Sequence, residues 1–451
     1  MAIVEGAPAA PVTPPSQSTP IAAVPQIAAS TGPLVPMGPP RDGAIPPIRA
    51  ARTPRTDCKP TKAFVPEPHL DLSTYEADAD LMTLSLGPQH PSTHGVFRVV
   101  LYLDGELIVK AVPHPGYLHR GVEKLCEKLM ASNITPIVDK NDYVSPMTNE
   151  QAVNMAFEAL MGVEVPVRAR YLRTVLAETQ RVASHLLWLG TFGMDLGGAL
   201  GGGTSLFMWC FRERELILDL FENLTGCRFH YNTHTVGGNR HDVPAHWPEL
   251  LHRTLGAIDE RLDQYLGMLE HPIFSARTKG VGVIDADLAL ELGLTGPLLR
   301  ASGVDHDLRR DAPYHAYAEV DLKVFVEDSG DCWARSKVRV EEMRESIRIA
   351  RTLIDNLPAG PICSTKPLKM VGQHKLPPGQ VYVGIETPRG ELGTWLIGGG
   401  DNKGSSPYRL KIRSPSLHAC AVIPYVLPGC SLSDAIAILG SLDPVMGEVD
   451  R

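Results

Sequence analysis

The stretch Val165-Pro-Val-Arg-Ala-Arg-Tyr-Leu-Arg-Thr-Val-Leu-Ala-Glu-Thr-Gln-Arg-Val-Ala-Ser-His-Leu-Leu-Trp-Leu189 decides the fold of this chain. Leu172, Val175, Leu176, Thr179, Val182, Ala183 and Leu186 recur three or four positions apart. That spacing lines them up on one stripe of an α-helix, which has to be buried against other helices. Glu178, Arg181 and His185 sit on the same helix at i, i+3 and i+7. They suit an internal ion-pair rail or a solvated face equally well.

Working outward, the same periodicity predicts helices over Tyr117–Ser132, Met147–Gly162, Ser205–Leu224, His246–Glu270 and Ser336–Leu357. Two strand-like runs, Val96–Leu103 and Glu106–Val112, flank Asp104-Gly105, a hairpin turn signal. After Pro358 the pattern reverts to strands at Gln380–Glu386, Gly393–Ile397 and Tyr408–Ile412, with a short helix at Leu432–Leu439. The fold class is therefore α+β: a bundle of long helices flanked by small β-elements at the start and end of the domain. Residues 1–75 form a Pro/Ala-rich extension, with 16 of the 39 prolines before residue 71, and read as disordered. The domain covers 76–451, with a hairpin region 76–115, a helical bundle 116–360 and a C-terminal β/α region 361–451.

Composition narrows the function. A net charge of −8 speaks against a whole-surface nucleic-acid footprint. No apolar run reaches membrane-spanning length, so membrane contact is expected through partners. The eight cysteines form no C-x-x-C pair and read as reduced, mostly buried thiols.

Three constellations carry chemistry. His90 and His94 lie four apart in a loop rich in Pro and Gly, where Pro91 and Gly95 spoil a helical metal site. They read as proton or hydrogen-bond donors, or as a structural pair. Asp139, Asp142 and Tyr143 form a polar knot between two helices. It suits an oxygen-bearing aromatic ligand, or is a turn-capping Asp beside a half-buried Tyr. Asp195 precedes a glycine run, Gly197-Gly198-Ala-Leu-Gly201-Gly202-Gly203, without a phosphate-loop signature. Close backbone approach or flexibility explains those glycines better.

Ordered motifs then point to a family. They are Gly87-Pro-Gln-His-Pro-Ser-Thr-His-Gly95, Gly116-Tyr-Leu-His-Arg-Gly-Val-Glu-Lys124, and Asp142-Tyr-Val-Ser with Asn149-Glu-Gln-Ala152. Further on come Phe211-Arg-Glu-Arg-Glu215, Gly237-Gly238, Ala276-Arg-Thr-Lys-Gly-Val-Gly282, Arg300-Ala-Ser-Gly and Asp307-Leu-Arg-Arg310. The last are Pro388-Arg-Gly-Glu-Leu-Gly393, Pro407-Tyr-Arg409 and Asp443-Pro-Val-Met-Gly-Glu-Val-Asp-Arg451. In this order they resemble the quinone-site subunit of bacterial respiratory complex I, the proton-pumping NADH:quinone oxidoreductase. That family is itself similar to the large subunit of nickel–iron hydrogenases.

The resemblance implies a quinone-reduction site fed from a [4Fe–4S] cluster on an adjacent subunit and coupled to proton translocation. The quinone ligands fall on His94 and Tyr143, with His90 beside them, and the carboxylate paired with the histidine falls on Asp195. The substrate is menaquinone or ubiquinone, and the chain itself holds no metal or cluster. Expected partners are the cluster-bearing subunit, the 30 kDa-type subunit and the membrane subunit lining the quinone channel. The chain would act only in the complex, peripheral to the cell membrane on its cytoplasmic side. Val445 and Glu448 stand where the related hydrogenases carry Cys, which speaks against a nickel site. No G-x-G-x-x-G follows a strand, so NADH binds elsewhere. The sequence departs from the family in a shortened Pro361–Pro378 segment, in His234-Thr235-Val236 where an arginine is usual, and in the glycine run. A rival reading is a non-catalytic scaffold paralogue in a hydrogenase-like membrane complex.

Overall fold

The computed structural model describes residues 81–89, 95–197, 203–364, 375–400 and 405–451. The N-terminal extension, His90, His94 and most of the glycine run lie outside these, as do 365–374 of the shortened segment.

Three antiparallel strands open the described fold: β1 Met82–Leu86, β2 Arg98–Asp104 and β3 Leu107–His114. The β2–β3 hairpin turns at Gly105, as the Asp-Gly signal predicts. Val99, Leu101 and Leu103 alternate inward, and β1 adds a third strand that periodicity alone does not announce. Instead of one helix over Tyr117–Ser132 there are two short ones, α1 Val122–Cys126 and α2 Ala131–Val138. The physical reason is local: Tyr117 and Gly121 take left-handed backbone, and Met130 is extended.

The bundle follows: α3 Pro146–Met161, α4 Val167–Asp195 and α5 Gly203–Thr225. After a two-stranded ribbon (β4 His234–Thr235, β5 Gly238–Asn239) comes α6 Trp247–Leu269. Short helices α7 Pro272–Thr278, α8 Ala286–Glu291, α9 Pro297–Ala301 and α10 Leu308–Asp311 lead to α11 Cys332–Asp355. The 29 residues of α4 span about 44 Å at 1.5 Å per residue. It packs against α5 and α11, and α11 against α6. Pro166 keeps α4 from starting earlier. The helix runs six residues past Leu189, where the sequence pattern ends it, so Asp195, expected after the helix, is its last residue. One glycine of the run has a clear purpose: a Cβ on Gly203 would sit 2.3 Å from the Gly193 carbonyl oxygen, so α4 and α5 cross backbone to backbone.

The C-terminal region is an antiparallel sheet of β6 Gln380–Thr387, β7 Gly390–Ile397 and β8 Arg409–Arg413. Helices α12 Pro415–Ala421, α13 Ile423–Val426, α14 Leu432–Leu442 and α15 Met446–Val449 complete it. One apolar core joins the first sheet, the bundle and α14; a second lies between α1–α3 and the C-terminal sheet. The α+β class, a helical bundle with small sheets at both ends, is what the sequence predicts. Seven described cysteines are free, four of them buried. Among the described residues no helix is long and apolar enough to cross a membrane.

Candidate functional site

The turn between α2 and α3 positions Tyr143. Asp142 Oδ1 accepts from the Val144 and Ser145 amides (3.1 and 3.2 Å), and the Asn149 side chain donates to the Asp142 carbonyl (3.0 Å). The first two bonds satisfy the amides of the two residues that precede α3, and the third ties the first turn of that helix back to Asp142. The Tyr143 ring is half-buried beside them. Asp142 Oδ2 points the other way and accepts from Arg389 Nη1 at 2.8 Å.

Arg389 is the centre of the cluster. It projects inward from the tight β6–β7 turn and is buried. Its Nη1 also donates to Ser184 Oγ (3.2 Å), Nη2 to Asp443 Oδ1 (3.2 Å) and Nε to the Asp443 carbonyl (3.1 Å). Glu448, also buried, accepts from the Ser416 amide (3.2 Å) and, at close range, from the Ser416 hydroxyl. Burial pushes the Asp142 carboxyl up, against the pull of Arg389, and Asp443 adds to the rise. Burial and then the Asp142 charge raise Glu448 to about 7. The Tyr143 phenol is raised by burial and held back by Arg389.

Asp139, which the sequence groups with Asp142 and Tyr143 in one knot, belongs elsewhere. It pairs with Lys140 (3.0 Å) and faces His230 (3.7 Å). Asp142 bonds neither of these groups.

One C-terminal segment passes both described residues that the resemblance singles out. A Cβ on Gly440 of α14 would lie 2.7 Å from Asp195 Oδ2, and one on Gly447 of α15 would lie 3.3 Å from Tyr143 Cδ1. His90 and His94 lie outside the described residues. Sequence reasoning misses Arg389, Asp443 and Glu448 as chemistry. Their motifs are visible in the chain, but their meeting depends on tertiary contacts alone.

The charges on α4 form an internal rail. Glu178 accepts from Arg309 (3.1 Å), Arg181 (3.3 Å), Ser346 Oγ (2.6 Å) and the Tyr317 hydroxyl. Burial alone would push its carboxyl up; Arg181 and Arg309 outweigh this and hold it near 2. Arg300 joins Glu342 (2.7 Å), Glu386 (2.8 Å) and Asp307 (3.3 Å). His185 Nε2 meets Glu342 at 3.1 Å, while its Nδ1 has no partner among the described residues. A neutral imidazole with its proton on Nε2 fits both facts, because a proton on Nδ1 would be a buried orphan donor. Burial accordingly lowers His185 to about 4. Among the described residues no group of three or more His, Cys, Asp or Glu side chains is arranged to hold a metal.

Residues 201–451 match the family described as the respiratory-chain NADH dehydrogenase 49 kDa subunit. A D-type subunit of the NADH-quinone oxidoreductase of Rhizobium etli is 44% identical over 391 residues, covering 82% of this chain and 95% of that protein. The D-type subunit of the same enzyme in Methylacidiphilum infernorum is 43% identical over 396 residues, covering 83% and 93%. A chain of the membrane-bound sulfane sulfur reductase, an archaeal respiratory membrane complex, superposes with a TM-score of 0.79 at 36% identity, covering 84% of this chain and all of that one.

Proposed function

The chain belongs to the 49 kDa subunit family of the respiratory-chain NADH dehydrogenase, the D-type subunits of NADH-quinone oxidoreductase, and we propose that within such a complex it supplies the protein ligands of the quinone-reduction site. Electrons would arrive from a [4Fe–4S] cluster on an adjacent subunit, with NADH oxidised elsewhere in the assembly. Quinone reduction would be coupled to proton translocation. The chain would sit on the cytoplasmic side of the cell membrane, against the cluster-bearing subunit, the 30 kDa-type subunit and the membrane subunit that lines the quinone channel.

The observation that carries this reading is the passage of one segment, Gly440 to Gly447, along both Asp195 and Tyr143. Reducing a quinone by two electrons consumes two protons. The Tyr143 phenol and the His94 imidazole are suited to donate hydrogen bonds to the two carbonyls. In this reading Asp195 keeps the His94 imidazole charged, above the ~6.5 of an unperturbed histidine. His90, four positions before His94, would border the headgroup.

The test compares NADH:quinone and NADH:ferricyanide activities of the assembled complex for Tyr143→Phe, His94→Ala and Asp195→Asn. Loss confined to quinone reduction is expected. Quinone reduction unaffected in all three would refute the assignment and favour a non-catalytic scaffold.

A further inference from the structure

Beneath Tyr143 the charges do not balance. Asp142, Asp443 and Glu448 are all buried, and one guanidinium, Arg389, is in contact with two of them. Arg339, also buried, bonds the Ser441 carbonyl (3.0 Å) and interacts with Asp443 and Glu342 through its charge. Three ionised carboxylates around one bonded cation are unstable in a water-poor interior, so such a group keeps a proton. The bonds say where. Asp142 and Asp443 each touch Arg389, whereas the hydrogen bonds to the Glu448 carboxyl come from Ser416 alone, with no guanidinium in contact among the described residues. Asp443 Oδ2 is buried without a hydrogen-bond partner among the described residues, an open acceptor within the cluster.

Resting on the quinone-site reading, we propose that the Asp142–Asp443–Glu448 cluster stores one proton on Glu448 and passes it to Tyr143 after the phenol has protonated the reduced quinone. The Tyr143 O–H bond breaks as the quinol O–H bond forms. The phenolate then takes the stored proton, and Glu448, left as a carboxylate, regains one from water. The cluster moves no electrons; these come from NADH through the complex. Other groups facing Glu448 do not compete for this role. Arg389 stays charged, and burial holds the Cys420 thiol up at about 12, so it stays protonated. Gly447, beside Glu448, brings the backbone against the Tyr143 ring with no side chain between them. Glu448 touches no substrate; it acts through Tyr143.

Glu448→Gln keeps shape and neutrality but has no proton to give. In the assembled complex its kcat for quinone should fall at least about tenfold with KM unchanged, and NADH:ferricyanide activity should hold. The wild-type kcat should decline as pH rises through about 7, where Glu448 loses its proton, and this decline should vanish in the variant. Glu448→Asp should restore part of the rate. A Glu448→Gln complex with wild-type kcat and pH profile, or with a changed KM alone, would overturn the proposal. If that variant fails to assemble, infrared difference spectra of the wild-type complex during quinone turnover decide it: a buried protonated-carboxyl C=O band should bleach, and its absence refutes the idea. If Tyr143→Phe impairs quinone reduction while Glu448→Gln does not, the relay fails and the site stands. A fully active Tyr143→Phe removes the relay, and the site falls with it when His94→Ala and Asp195→Asn are fully active too.

Discussion

Arg389 and Asp142, 247 positions apart, meet at 2.8 Å in the interior, and the same guanidinium reaches Asp443. One side chain thus ties the turn that carries Tyr143 to the sheet and to the C-terminal segment. Positioning of the phenol and cohesion of the domain are the same interaction.

Arg389→Met should therefore be severe. It strands two buried carboxylates, at a cost on the order of 3–5 kcal/mol. The expected outcome is a large drop in melting temperature of the full chain and its loss from the complex, read by immunoblot of purified membranes. Arg389→Lys should fall between, since one ammonium keeps the charge but not the forked geometry.

Tyr143→Phe keeps the ring and removes one neutral hydrogen bond, about 0.5–1.5 kcal/mol, so apparent quinone affinity should weaken about two- to tenfold, and because the phenol is also the proposed proton donor, kcat should fall at least as far as in Glu448→Gln. In the proposed site His94→Ala would delete a charged donor and should be worse. Asp195→Asn should be milder than His94→Ala. Quinone titrations of the three complexes check the order.

The two glycines of the C-terminal segment should respond differently to alanine. On Gly440 the new methyl meets Asp195 Oδ2 at 2.7 Å and Phe192 at 3.1 Å. A carboxylate can swing aside, so Gly440→Ala should assemble but behave kinetically like a displaced Asp195. On Gly447 the methyl meets the Asn141 carbonyl at 2.4 Å, which is backbone in the Tyr143 turn. Gly447→Ala should assemble poorly, and the amount of this chain in the purified complex measures it.

Acid should remove two buried contributions to stability one after the other. His185 is depressed from 6.5 to about 4, so below 6.5 the unfolded chain takes up a proton that the fold refuses. This contribution to stability is complete above 6.5 and is lost as pH falls towards 4. Glu178, depressed from 4.5 to about 2, loses its contribution only below 4.5. Denaturant midpoints of the full chain measured through the first window isolate the His185 contribution by difference: His185→Gln should remove about one proton's worth of slope there.

The stripe on α4 is legible in the sequence because periodicity needs no partners. The fate of Glu178, Arg181 and His185 is not. Arg309 and Ser346, which bond Glu178, and Glu342, which meets His185, lie 131, 168 and 157 positions away. A local pattern cannot tell a solvated face from a buried rail. The single helix expected over 117–132 has the right apolar spacing, but that spacing hides left-handed backbone at Tyr117 and Gly121. The residues alone leave Tyr143 open between a ligand contact and a half-buried turn tyrosine, and only motif resemblance proposes a role for it and for Asp195. Glu448 stands out in the sequence solely as a place where a cysteine is missing.

The rail through α4 also constrains how this sequence can drift. Exchanging Glu178, Arg309 or Arg300 singly passes through a state with an uncompensated buried charge, at on the order of 3–5 kcal/mol. Domains have only about 5–15 kcal/mol in all. Viable descendants must change these positions in concert or not at all, so variation should collect on the outer faces of α5 and α6 while the ionic interior changes in matched sets.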